Sequence, residues 1–224
     1  AGLNTTGFYI KLLIFPHPLL FYYGYNTIHL FDFNYLTIIS IISLLTMLFF
    51  FIRGFKSKKI YSYAIIYLLI GLALFSNFFF PVNGIIGERL IYQSSLGFAI
   101  LLAIILLKIS QVKIKKEHIK LKSIRLLLAI FIPVVLLYSF KTITRNNVWE
   151  NHYSLYKNDI KHLKKSAKAN SLIANWMHEH LKEFKKNKNE RIEDIIKYYT
   201  RSLNIYSNNY LVANNLGSIY MIHK

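Results

Sequence analysis

The stretch YLTIISIISLLTMLFFFI, from Tyr35 to Ile52, contains no charged residue. Its length is close to the ~20 apolar residues with which an α-helix crosses the hydrocarbon core of a bilayer. Similar apolar stretches crowd into residues 8–140, whereas the charged residues gather in short loops and in the last third of the chain. The sequence therefore predicts an all-α protein that is integral to a membrane.

The composition agrees with this prediction. The 224 residues are 54% hydrophobic and carry a formal net charge of +18. Such basic charge can indicate nucleic-acid binding, but Lys and Arg beside membrane spans have a simpler cause, so we expect no nucleic-acid partner. The chain has no cysteine, which excludes disulfides and thiolate metal sites. The Lys-, Asn- and Ile-rich composition favours a bacterial source, and the sequence at both ends predicts a fragment of a longer protein.

Five membrane segments are predicted within a transmembrane domain of residues 1–141. They cover about 8–23, 35–52, 60–80, 92–109 and 125–141. The first is interrupted by Lys11 and by two prolines, which predicts a broken or shallow segment, and Pro133 predicts a kink in the last. A juxtamembrane amphipathic linker is predicted over 142–163, followed by helical repeats over 164–224.

The charges of the loops predict the orientation. The loop 53–59 holds four basic residues and the stretch 108–125 holds seven, whereas 24–34 holds none and 81–93 only Arg89. Loops rich in Lys and Arg remain in the cytoplasm. We therefore expect a multi-pass protein whose Lys-poor loops and C-terminal repeats lie outside the cytoplasm, in the periplasm or in the lumen of the endoplasmic reticulum.

The last third of the chain matches the frame of the roughly 34-residue tetratricopeptide (TPR) repeat. In that frame, small residues allow two helices to approach closely and aromatic residues fill the gaps between them. The matching residues are Ile195, Tyr199, Ser202 and Ser207, and then Ala213, Leu216, Gly217 and Tyr220 of the next unit. The sequence thus predicts TPR-like helical hairpins, with further repeats expected beyond Lys224.

Three sequence motifs follow one another along the chain: KLLIFPHPLLFYYGYN at 11–26, SNFFFPVNGIIGERLIYQSSLGF at 76–98 and RNNVWENHYSLY at 145–156. Together with the repeats, they resemble the transmembrane and TPR repeat-containing protein family, whose animal members act as protein O-mannosyltransferases in the endoplasmic reticulum. The most specific part is the family's pattern ER-x-x-Y-x-x-S-x-G. It is matched at Glu88, Arg89, Tyr92, Ser95 and Gly97. Tyr22 occupies the place where the animal family often has an Asp.

The resemblance implies a glycosyltransferase of the GT-C type. Such enzymes transfer a sugar from a polyprenyl-phosphate carrier to a polypeptide hydroxyl outside the cytoplasm. The acidic catalytic residues of such enzymes lie in a first outer loop, which is expected upstream of Ala1, so no catalytic residue is assigned here. The resemblance implies membrane lipid and a polypeptide acceptor or partner protein as binding partners. It implies no certain cofactor besides the donor lipid, and it leaves a divalent metal open.

The Glu88–Arg89 pair is the main candidate for the donor site. A guanidinium at the membrane surface can hold phosphate oxygens through two charge-assisted hydrogen bonds. Glu88 would orient it, and Tyr92 and Ser94 would complete a polar shell. Ser95 belongs to the same candidate set, and either serine could cap the next helix. The alternative is an interfacial ion pair beside an aromatic anchor.

Other candidates carry weaker signals. His17, between two prolines, could contact the donor, or it could simply be satisfied at the interface. Asp32 could be a base, or a solvated loop residue. The HEH of His178–His180 lacks the spacing of a metal site, so no metal ligand is predicted. Arg145 could lie close to lipid headgroups, but a plain interfacial anchor is the favoured interpretation.

A non-enzymatic alternative also remains open at the level of sequence. The chain could belong to a membrane-anchored TPR scaffold that organises an envelope protein complex. An acidic motif in a first outer loop upstream of Ala1 would favour the enzyme, and its absence would favour the scaffold.

Overall fold

The computed structural model describes residues 1–24, 33–79, 86–112, 120–183 and 188–222. In these ranges the regular structure is helical throughout, which confirms the predicted all-α class. The α-helices are α1 (Gly2–Ile14), α2 (Tyr35–Phe55), α3 (Ile60–Phe75), α4 (Tyr92–Ile109), α5 (Leu121–Val148), α6 (His152–Asp159), α7 (Ala167–Glu179), α8 (Lys188–Ile205) and α9 (Tyr210–Ile222). A 3₁₀ turn, Glu88–Ile91, leads into α4, and another, Leu181–Glu183, follows α7.

The chain divides into two compact units. The membrane unit comprises Ala1–His17 and Leu30–Thr144, and the tail unit comprises Pro18–His29 and Arg145–Lys224. α5 is continuous across this division, so its last four residues belong to the tail unit.

The membrane unit contains the long apolar helices that the sequence predicted. Among the described residues, three helical stretches are long and apolar enough to cross a membrane: Tyr35–Phe55, Glu88–Ile109 and Leu121–Val148. α3 is apolar but shorter, at 16 residues. The chain is therefore a membrane protein.

The first apolar segment takes a different form from a single spanning helix. The predicted range 8–23 overlaps only the second half of α1, which ends at Ile14. Phe15 is already extended, with φ −133° and ψ 94°, because the residue before a proline is disfavoured in the helical region and Pro16 follows. α5, by contrast, includes Pro133 within its 28 residues.

Close helix packing holds the membrane unit together. A Cβ at Gly97 of α4 would lie 2.7 Å from the Ala64 carbonyl oxygen and 2.9 Å from the Leu68 nitrogen, both on α3. At Gly7 of α1, a Cβ would collide with the backbone carbonyl of Leu36 on α2. These contacts require glycine, because no larger residue allows the two backbones to approach so closely.

The tail unit is built from amphipathic helices around its own small core. Asn151 caps α6 by accepting a hydrogen bond from the Ser154 N–H, and Ser166 caps α7 in the same way through the Ala169 N–H. The Ser202 hydroxyl, near the end of α8, donates to the Ala167 carbonyl at the start of α7 at 2.8 Å. α7 and α8 therefore pack against each other as an antiparallel hairpin, and α9 packs on α8.

Candidate functional site

The Glu88–Arg89 pair lies in the 3₁₀ turn that begins the apolar helix α4. The turn is tied down by the Gly87 N–H, which donates to the Tyr9 hydroxyl of α1 at 3.1 Å. Arg89 is exposed, and within the described part of the chain its guanidinium has no hydrogen-bond or ion-pair partner. Tyr92, one helical turn further on, is 79% exposed. The turn thus presents a cation and a phenol ring at the end of a membrane-length helix.

The neighbouring serines, Ser94 and Ser95, make contacts within the protein. Both lie inside α4, which begins at Tyr92, so the prediction that either caps the helix is wrong. Ser94 is fully buried against Gly71 of α3, where a Cβ would lie 2.2 Å from its hydroxyl. The Ser95 hydroxyl donates to the Tyr92 carbonyl oxygen at 2.6 Å. The structure therefore places Ser94 in the α3–α4 contact and leaves Arg89 and Tyr92 as the outward-facing pair.

The two remaining candidates are His17 and Asp32. His17 is exposed, its ring centroid lies 6.0 Å from that of Phe15, and its backbone N–H donates to the Phe15 carbonyl at 2.7 Å. Asp32 lies outside the described residues.

The TPR-frame residues divide into a buried and an exposed set. Ile195, Tyr199 and Ser202 of α8 are completely buried. Ala213, Gly217 and Tyr220 of α9 are exposed, and Leu216 is half-buried. A Cβ built at Gly217 meets no described atom within 4 Å. The α8 residues thus form the core of the hairpin, while those on α9 line an open helix face.

The two histidines of the HEH stretch lie in different contacts rather than in a shared site: His178 faces α8, whereas His180 packs on its own helix α7. The Tyr199 hydroxyl donates to Asn175 Oδ1 at 2.8 Å and lies 3.3 Å from His178 Nδ1. His180 instead stacks on Trp176, with 4.2 Å between ring centroids. Burial raises the pKa of Tyr199 to about 12, so this phenol stays protonated through the physiological range.

The structure also reveals an ion pair that the sequence analysis missed. The favoured interpretation of Arg145 as an interfacial anchor is wrong: its side chain is only 9% exposed and donates to both Asp159 carboxylate oxygens, from Nη1 at 2.7 Å and from Nη2 at 2.9 Å. The same carboxylate accepts the Phe21 N–H at 2.8 Å. The only available signal was that Asp159 is the single acid between Asn151 and Lys168, amid five lysines.

The comparisons with known proteins agree with the family resemblance. The chain is 29% identical over 144 residues to the protein O-mannosyl-transferase TMTC1 of Mus musculus, which covers 64% of this chain and 14% of that protein. It is 33% identical over 145 residues to TMTC3 of Homo sapiens (65% and 14%) and 33% identical over 86 residues to human TMTC2 (38% and 10%). The chain thus spans about one seventh of the length of TMTC1 and TMTC3 and about one tenth of TMTC2. No family model and no solved structure matches it. These matches confirm the resemblance seen in the sequence motifs: the chain is similar to protein O-mannosyl-transferases of the TMTC type.

Proposed function

We propose that the chain is part of an integral-membrane glycosyltransferase that moves a sugar from a polyprenyl-phosphate carrier to a polypeptide hydroxyl on the extracytoplasmic side. The name shared by the relatives supports this proposal and favours mannose as the sugar. The observation that carries it is the exposed guanidinium of Arg89, which has no partner among the described residues and lies at the end of a membrane-length helix. The phosphate of a carrier lipid would lie at that end, with its hydrocarbon chain beside the helix.

The distribution of basic residues supports the orientation. The connectors at 53–59 and 108–125 are Lys-rich and would lie in the cytoplasm, because positive loops are retained there. The Arg89 turn and the tail unit would then face the opposite side. The tail unit would follow the membrane unit there as TPR-like hairpins that bind the acceptor or a partner protein.

In the reaction, the bond between the sugar C1 and the carrier phosphate breaks, and a new bond forms between C1 and the acceptor oxygen. The hydroxyl proton leaves to a base, for which no residue of this chain is assigned. Negative charge grows on the departing phosphate. Arg89 would stabilise that charge through paired N–H donors, which is the kind of interaction that contributes most in such sites.

The test uses the full-length protein in membranes with a radiolabelled polyprenyl-phosphate mannose donor and a Ser/Thr-containing acceptor polypeptide. We expect Arg89→Ala to lower the transfer rate by about a hundredfold. Arg125→Ala is the matched control, since Arg125 is an exposed arginine in the first turns of α5, on the predicted cytoplasmic side, and its rate should stay within about twofold of the wild type.

Two results would contradict the proposal. A normal rate and normal donor affinity in Arg89→Ala would remove the phosphate role. A wild-type protein that binds its partners but transfers no sugar would favour the alternative, a membrane-anchored scaffold.

A further inference from the structure

The tail unit contains an open cleft of about 460 Å³ that none of the predicted site residues lines. Its walls come from three places in the chain: Tyr22, the start of α7, and the turn between α8 and α9. The lining residues are Tyr22, Ser166–Lys168, Ser171, Tyr206 and Asn209. Two tyrosines and a lysine in one concave site give it apolar walls with one positive charge.

The Tyr22 wall is held in place by the buried carboxylate. Asp159 accepts the backbone N–H of Phe21, the residue before Tyr22, and is itself fixed by Arg145. The Phe21 ring packs on Tyr156, with 5.0 Å between centroids. The ammonium of Lys168 lies 5.0 Å from the centre of the Tyr22 ring, so the lysine is positioned by a cation–π contact. This side of the cleft is therefore preorganised.

The polar groups that line the cleft are mostly donors. Ser166 Oγ accepts from the Ala169 N–H, the Ser171 hydroxyl donates to a backbone carbonyl, and Asn209 Oδ1 accepts from the Val212 N–H. Within the described residues, the groups that remain available are the Lys168 ammonium, the Tyr22 and Tyr206 hydroxyls and the Asn209 amide NH₂. Each of these can donate a hydrogen bond. A ligand that fits them is rich in acceptors.

The positive charges around the cleft also favour a ligand that is negatively charged. Five exposed lysines lie between the second half of α6 and the first turn of α7, and the one acid in this stretch, Asp159, is buried and paired with Arg145. The lysines are Lys157, Lys161, Lys164, Lys165 and Lys168. A positive surface of this kind raises the association rate and the selectivity for negatively charged partners.

We propose that this cleft binds an acidic segment of a polypeptide, with a carboxylate on Lys168 and an adjacent apolar side chain between Tyr22 and Tyr206. The proposal deepens the proposed function and rests on it only in assuming that the tail unit binds polypeptides. A concave site with aromatic walls fits a side chain, which a flat bilayer surface would not fill. The carboxylates of an acidic segment also complement the positive charge of the lysines around the cleft.

The test uses the full chain in phosphatidylcholine nanodiscs and a fluorescein-labelled peptide of alternating aspartate and leucine. Fluorescence anisotropy should show saturable binding, and a peptide with asparagine in place of aspartate should bind at least about tenfold more weakly. Lys168→Glu and Tyr206→Ala should each raise the Kd by about tenfold. Lys197→Glu, an exposed lysine of α8 outside the cleft, is the matched control and should change the Kd by less than about twofold.

The proposal is overturned if Lys168→Glu and Lys197→Glu weaken binding equally, or if the asparagine peptide binds as well as the aspartate peptide. It also fails if no peptide binds while phosphatidylglycerol nanodiscs protect Lys168 from an amine-reactive reagent, which would identify a membrane-contact surface. Transfer activity is not read in this experiment. A chain that binds the peptide but transfers no sugar would therefore contradict the glycosyltransferase proposal alone.

Discussion

Arg145 and Asp159 form two parallel hydrogen bonds in the interior of the tail unit, where the arginine side chain is 9% exposed and the carboxylate is completely buried. The guanidinium also lies over the Trp149 ring, 5.5 Å from its centre. Asp159 accepts two further donors, the Phe21 N–H and the Asn158 amide. One carboxylate therefore joins the end of α5, α6 and the segment that begins at Pro18.

Removing the Asp159 carboxylate should weaken the packing of the end of α5, α6 and the segment that begins at Pro18. We expect Asp159→Asn to destabilise the tail unit by about 3 kcal/mol, because a buried arginine would lose its counter-charge. The melting temperature of the tail unit, followed by limited proteolysis of the full chain, measures the loss. Asp194→Asn, which removes an exposed partner 3.8 Å from Arg191, is the control and should cost less than about 0.5 kcal/mol. Equal effects of the two variants would contradict a special role for Asp159.

Asp159→Asn should also lower the affinity of the proposed site for an acidic peptide. In Asp159→Asn, one amide oxygen replaces the two carboxylate oxygens that accept from Arg145, Asn158 and the Phe21 N–H, so the Phe21 N–H must compete for its acceptor and Tyr22 is held less firmly beside Lys168. At a temperature where Asp159→Asn is still folded, we expect its Kd for the acidic peptide to rise about fivefold. Unchanged affinity in a folded variant would show that the Phe21 anchor does not organise the cleft.

The buried phenol of Tyr199 predicts an alkaline limit to stability. Its pKa rises from 10.0 in the unfolded chain to about 12 in the folded one, so the folded state binds the proton more tightly. The stability from this group is complete below pH 10 and is lost as the pH rises from 10 to about 12. Tyr199→Phe should be less stable than the wild type at pH 7 by about 1 kcal/mol, through the lost bond to Asn175, and should lose less stability over that alkaline range. Parallel stability curves for the two proteins would contradict this assignment.

Substitution by alanine should change stability in opposite directions at two glycines. Gly97→Ala should destabilise the α3–α4 contact by at least about 1 kcal/mol, because the new Cβ would lie 2.7 Å from the Ala64 carbonyl oxygen. Gly217→Ala enters open space on α9 and should stabilise that helix by up to about 1 kcal/mol, since alanine is the better helix former. Thermal unfolding in detergent, followed by circular dichroism, measures both. A stabilising Gly97→Ala would contradict the close packing of α3 and α4.

The sequence predicted the all-α class and the apolar helices because hydrophobic content and length determine what can cross a bilayer. It predicted a helix start at Ser94 or Ser95 from their capping chemistry, but a 3₁₀ turn at Glu88 begins the helix earlier and turns Ser94 toward α3. The Phe21 N–H that completes the shell of the Asp159 carboxylate could not be predicted, because Phe21 is 138 positions away in the sequence. The cleft depends on the same long-range contact, which no local pattern encodes.

The Arg89 turn and the tail unit should both face the extracytoplasmic side of the membrane. Because the chain has no cysteine, single cysteines introduced at exposed positions report the side directly. Gln93→Cys, after the Arg89 turn, and Ser207→Cys, in the tail unit, should react with a membrane-impermeant maleimide in intact cells or in right-side-out vesicles. Ser57→Cys, in the Lys-rich loop, should react only after the membrane is permeabilised. Labelling of Ser57→Cys from outside, with Gln93→Cys and Ser207→Cys protected, would contradict the account.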